Sequence, residues 1–164
     1  MDELAVITKI EPISKDAFKA YGQVIEIPVP EEPTVSTDTV TFWKQQSVFA
    51  ISGETQVGVL KVRKMNMMFD EMENHFKTPT ALICLDGDFV VAVAEPSNMV
   101  PKAEAVRAFR AKKAQLVVLA EKCWHSIMYP VDQDEITVLV VFNKDALEED
   151  TVFEDLDQPC KLSY

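Results

Sequence analysis

TALICLDGDFVVAVA, residues 80–94, decides the fold class. Apolar runs rich in β-branched residues lie on both sides of Asp86-Gly87, and an Asp-Gly pair supplies the positive φ angles of a tight hairpin turn. The stretch therefore predicts two antiparallel strands joined directly.

Similar runs recur outward from it: TVTFWKQQSVFAI (39–51), QVGVLKVRK (56–64), AVRAFRA (105–111), AQLVVLA (114–120), CWHSIMYPV (123–131) and EITVLVVFN (135–143). Short strands at this spacing belong to an all-β sandwich or barrel. Ser14 caps a short opening helix with Asp16 in its first turn, Ala17, Phe18 and Tyr21 on its apolar side and Gly22 at its end. IPVPEEPTVSTDT (27–39) reads as a loop. Residues 100–115 fit either a helical turn or a loop leading into a strand. Asn143 can cap a second short helix in DALEED, and the acidic run 145–158 reads as a solvated surface helix and tail. The length suits one sizeable core, so residues 1–164 are expected to form one domain.

Composition narrows the function. A net charge of −11 repels polyanions, which argues against nucleic acid as a partner. No apolar run approaches the roughly 18–20 residues of a membrane span. The start, MDELAVITKIEPI, has acidic residues where a secretory signal has basic ones, so a cytoplasmic protein is expected. Cys84, Cys123 and Cys160 are odd in number and are expected as reduced thiols. The four glycines are not spaced as a phosphate-binding loop, so nucleotide cofactors are not expected.

Only two histidines are present, His75 in EMENHFKTP and His125 in EKCWHSIMYP. Alternation along the second segment puts Cys123, His125, Ile127 and Tyr129 on one face, and Trp124, Ser126 and Met128 on the other. Glu71, Glu73 and His75 share a strand face at i, i+2, i+4, where carboxylate and imidazole can share a proton or a metal. Two histidines and one carboxylate just suffice for a divalent ion at His75, Glu73 and His125, although the residues equally suit a site without metal. Lys61 and Arg63 are candidate anchors for a substrate carboxylate. The dense KMNMMF run (64–69) reads as adaptable packing near the pocket or at a subunit contact.

Three blocks in order carry a resemblance: PISKDAFKAYGQVIE (12–26), EMENHFKTPTALICLDGDFVVAVAEP (71–96) and KCWHSIMYP (122–130). Together they resemble the ureidoglycolate lyases, formerly ureidoglycolate hydrolases, of the cupin superfamily, with this chain as a divergent member. Glu73 and His75 match the ends of the family's Glu-Arg-His block around Asn74. Trp124 and His125 match the first two places of Trp-His-His, and Ser126 stands at the third. Thr80 and Ala120 also depart from the family pattern. The resemblance implies a double-stranded β-helix barrel, a homodimer, and elimination of urea from ureidoglycolate to give glyoxylate in purine and allantoin nitrogen salvage. For such a lyase the expected base is His125, with His75 and Glu73 orienting the substrate or protonating the departing nitrogen. Lys61, Arg63, Trp124 and Tyr129 would bind substrate. Two other readings suit the same residues: a non-catalytic small-molecule-binding barrel, and a cupin isomerase or epimerase acting on a sugar derivative or another small polar acid.

Overall fold

The computed structural model describes residues 4–164. Its elements run β1 (Val6–Pro12), α1 (Lys15–Phe18), β2 (Gly22–Val24), β3 (Val35–Ser36), β4 (Thr41–Phe42), β5 (Thr55–Arg63), β6 (Met68–Asn74) and β7 (Thr80–Cys84). They continue with β8 (Phe89–Ala94), β9 (Arg107–Ala111), β10 (Leu116–Leu119), β11 (Trp124–His125), β12 (Tyr129–Pro130), β13 (Glu135–Asn143), α2 (Ala146–Glu149) and β14 (Val152–Ser163). The architecture is all-β with two one-turn helices, as the spacing of the apolar runs predicts.

A seven-stranded sheet in the order β11-β6-β14-β1-β9-β8-β12 faces a five-stranded sheet in the order β2-β10-β7-β13-β5. β11 bonds both β6 and β8, so the larger sheet closes into a ring. Closure gives it two apolar faces, and all six residues of β8 are buried. Phe89, Val91 and Val93 point between the two sheets with Phe18, Tyr21, Phe109, Val117 and Ile136. Val90, Ala92 and Ala94 point into the ring with Met72, Trp124, Leu156 and Leu162.

The hairpin expected at 80–94 does not form. Both strands exist, but β7 pairs with β10 and β13 while β8 pairs with β9, β11 and β12. The Asp86-Gly87 turn is a crossover between sheets. Asp86 Oδ1 accepts from Thr137 N at 2.7 Å, which anchors the turn to β13 instead of closing a ladder. Gly87 has ordinary negative φ; a Cβ there would lie 3.2 Å from Ile136 Cγ2, so glycine answers a close approach. A local turn signal carries no information about which strand each arm will pair with.

Other departures have similar causes. Ser14 Oγ accepts from Ala17 N at 3.1 Å and caps α1 as expected, yet β1 precedes that helix, so the helix does not open the fold. Gly22 opens β2, where a Cβ would meet Val118 O at 1.8 Å. Of the expected strand 39–51 only Thr41–Phe42 is extended, paired with Val35–Ser36 inside the expected loop. Residues 103–105 make a 3-10 turn before β9. Asp145, not Asn143, is the N-cap of α2; the Asn143 side chain accepts from Asp145 N at 2.8 Å instead. The acidic tail is the largest correction, because 152–163 form β14 between β1 and β6, with Leu156, Cys160 and Leu162 in the ring.

Candidate active site

The site stands on the face of the ring that looks toward the five-stranded sheet. Glu73 in β6 lies directly opposite His125 in β11, and His75 follows two residues beyond Glu73. Period-two alternation sends Glu73 and His75 to the cavity, while Asn74 turns away to donate to Lys122 O at 2.8 Å. From the facing sheet, Gln56, Leu60, Thr80, Leu82, Val140 and Phe142 close a cavity of about 680 Å³.

Both histidine rings are fixed by main-chain carbonyls. His75 Nδ1 is 2.8 Å from Asp150 O, and His125 Nδ1 is 3.2 Å from Cys123 O. A carbonyl only accepts, so Nδ1 carries hydrogen in both rings and Nε2 is turned toward Glu73. His75 Nε2 stands 3.2 Å from Glu73 Oε1, and His125 Nε2 stands 3.6 Å from Glu73 Oε2. The ring centroids are 5.4 Å apart. Phe142 meets His75 edge-on at 5.5 Å.

The environments of the two rings differ. Burial opposes charge on His75, but hydrogen bonds to the Glu73 carboxylate and the Asp150 carbonyl outweigh it and hold the pKa above the usual histidine value. Burial prevails at His125 and pushes it below that value, against the attraction of Glu73. At Glu73 burial is overcome by the two histidines, so its carboxyl lies below the usual range. The three groups form one acid–base set, in which His75 holds a proton more readily than His125 and Glu73 gives one up more readily than an ordinary carboxyl.

The trio also suits a metal ion. One ligand atom from each of Glu73, His75 and His125 lies within 4.8 Å of the others, and the carbonyls behind both Nδ1 atoms are the outer partners that orient histidine ligands. The three residues could hold a divalent ion, which would supply Lewis-acid stabilisation of a developing oxyanion. Glu71 is exposed and stands outside the trio.

The expected substrate anchors are placed differently. Lys61 and Arg63 lie on the outer face of β5, paired with Glu135 at 3.2 Å each, because alternation turns Gln56, Gly58 and Leu60 inward. Trp124 packs inside the ring and donates from Nε1 to Ser97 O at 3.1 Å. Tyr129 does not share the face of His125. β8 pairs Ala94 with Trp124 but Val90 with Tyr129, so one strand carries an extra residue and its alternation flips past Ser126. Tyr129 therefore joins Trp124 in the ring while also lining the cavity, and burial pushes its phenol up to about 12. The Cys123 thiol is likewise pushed up to about 12 by burial, which removes it as a nucleophile.

Asp150 escaped the sequence reading. Beyond its carbonyl on His75, its carboxylate accepts from Phe76 N at 2.9 Å and Lys77 N at 2.8 Å, locking the turn after His75. It sits in an acidic run, where nothing marks one carboxylate from its neighbours.

Among solved structures, the chain is similar to an oxalate decarboxylase of Lactobacillus farciminis, with 13% identity, a TM-score of 0.45, and coverage of 60% of this chain and 26% of that one. It is similar to RmlC of Streptococcus suis, with 11% identity, a TM-score of 0.42, and coverage of 56% and 44%. Relatives named ureidoglycolate lyase occur in Rhodobacter capsulatus, 27% identical over 74% of this chain and 78% of that protein, and in Pseudomonas syringae, 26% identical over 80% of each. A family described as Ureidoglycolate lyase matches residues 5–162, nearly the whole chain and all three site residues. The chain belongs to the ureidoglycolate lyase family.

Proposed function

We propose that this protein eliminates urea from ureidoglycolate to give glyoxylate, with His125, His75 and Glu73 as its catalytic residues. The observation that carries the reading is the convergence of both histidine Nε2 atoms on the two oxygens of Glu73 at the cavity floor. Neutral His125 takes the carbinol hydroxyl proton. The oxygen lone pair forms the new C=O bond as the C–N bond breaks, and the departing nitrogen takes a proton from His75 Nε2. Glu73 touches both rings, so it can return the proton from His125 to His75 after each turnover. Positioning supplies much of the acceleration, because the carbinol C–N bond is intrinsically labile. Among the described lining residues none is a lysine or arginine, so the protonated His75 ring supplies positive charge for the substrate carboxylate.

The test is urea and glyoxylate release by purified protein, with chelator and with added divalent metal, beside a His125→Gln variant. Release above the spontaneous rate that falls about 10²–10⁴-fold in the variant supports the reading. Absence of release by folded protein, metal-loaded or not, overturns it. The same reading includes a cytoplasmic homodimer in purine nitrogen salvage. Val57 and Val59, 64% and 69% exposed on edge strand β5, support a contact between copies, and a monomer in sedimentation would remove that part.

A further inference from the structure

The cavity is larger and more apolar than a small hydroxy acid requires. Its volume of about 680 Å³ lies within the range that encloses a drug-sized ligand. Its ionisable carboxylates and imidazoles are Asp70, Glu71, Glu73 and the two histidines. The exposed lining is mostly apolar, with Val59 69%, Met65 43%, Met68 41%, Ile127 45%, Phe153 57% and Leu147 61% exposed beside the carboxylates Asp70 and Glu71. Single exposed apolar side chains are ordinary, but six lining one cavity mark a binding surface. In the KMNMMF run Met67 is half-buried against the ring core, whereas Met65 and Met68 are exposed in the cavity lining, so only part of that run serves packing. Methionine adapts its shape to varied apolar ligands.

Resting on the lyase reading, we propose that the preferred substrate is a ureidoglycolate bearing an apolar alkyl or aryl substituent on its distal urea nitrogen, seated against Met65, Met68 and Ile127. The carbinol carbon meets Glu73, His75 and His125. The reaction stays balanced without a co-reactant: R–NH–CO–NH–CH(OH)–COO⁻ gives R–NH–CO–NH₂ and glyoxylate. The hydroxyl proton leaves to His125, the C–N electron pair goes to the proximal nitrogen, and that nitrogen is protonated by His75. The substituent lies away from the bond that breaks, so its burial adds binding energy without new chemistry.

The experiment has a binding arm and a turnover arm, both on the full chain. Calorimetry compares urea, N-butylurea and N-benzylurea as product probes. Burying even two methylene equivalents is worth about tenfold in affinity, so N-benzylurea is expected to bind at least about tenfold tighter than urea. Met68→Ser and Ile127→Ser are each expected to move that ratio toward parity. Turnover compares ureidoglycolate with its N-benzyl derivative, and kcat/KM is expected to favour the derivative by about the same factor. Equal binding of the probes, with normal cleavage of plain ureidoglycolate, overturns the apolar subsite and leaves the lyase reading intact. Such a result in a dimer whose mouth residues are protected by the second copy assigns the rim to that contact instead. Tight N-benzylurea binding without cleavage of either acid sinks the lyase reading and retains the subsite. Neither binding nor cleavage by folded protein overturns both.

Discussion

At the scale of single residues, the two histidines differ because their partners differ. His75 has a carboxylate on one nitrogen and a carbonyl on the other; His125 has a carbonyl at 3.2 Å and only a 3.6 Å approach to the same carboxylate. Glu73→Gln removes the carboxylate that raises His75 and leaves Asp150 alone to oppose burial, so the His75 pKa is expected to move down. An NMR titration of the His75 ring checks the direction, and an unmoved or raised value overturns the account. Urea release by this variant is expected to fall about 100-fold or more, since proton relay and the positively charged ring are lost together. Asp150→Ala leaves the Phe76 and Lys77 N–H groups without their carboxylate, at about 1–3 kcal/mol by denaturant unfolding. With the turn loosened, kcat is expected to fall more than KM rises. Asp150→Asn keeps one acceptor and should recover part of both.

At the scale of elements, the Asp86–Asp88 crossover shows how charge holds the two sheets in register. Partial burial pushes the Asp88 carboxyl up, but the Lys113 N–H and the Arg110 guanidinium outweigh it and hold the pKa below the usual aspartate range. A depressed folded-state pKa contributes stability that is present above the unfolded value, roughly 3.9, and is lost as pH falls through the folded one. Asp88→Asn is therefore expected to cost about 1–2 kcal/mol at neutral pH. The difference from the parent should shrink as pH drops below about 4, as urea unfolding across pH will show. A constant difference would mean that shape, not charge, holds the turn. This crossover also marks how far local reading reaches. Apolar runs such as 88–94 and 135–143 announce their strands because both depend on short-range periodicity. Their partners are set by distant contacts, so the hairpin expected at 86–87 does not form, and the run 145–158, expected as a solvated helix and tail, turns into a strand from Val152 onward. The histidines were legible as the only two in the chain, and Glu73 through its i, i+2 spacing to His75. The facing of Lys61, Arg63 and Tyr129 is not legible there, because it depends on which side of a strand meets the core, and one extra residue after Ser126 inverts it.

At the scale of the whole molecule, the two cores are predicted to melt as one. They lie on opposite faces of the same strands: Val91 and Val93 belong to one, Val90 and Ala92 to the other, and no linker separates them. β11 adds a second coupling, since it closes the ring around one core while presenting His125 to the cavity beside the other. Loss of packing in the ring must therefore release β11, and with it the site. Trp124→Ala removes a fully buried ring that meets Phe76 edge-on at 6.0 Å and donates to Ser97, and such a truncation costs about 3–5 kcal/mol. Phe109→Ala, on the other side of the shared sheet, is expected to cost a similar amount. Each variant should shift a single thermal transition, with far-ultraviolet dichroism, aromatic dichroism and N-benzylurea binding lost over the same temperature interval and calorimetric and van't Hoff enthalpies equal. Two resolved transitions, or a Trp124→Ala protein that loses the ring signal while retaining Phe109 packing and ligand binding, would mean that the ring and the sandwich fold as separate units despite the strands they share.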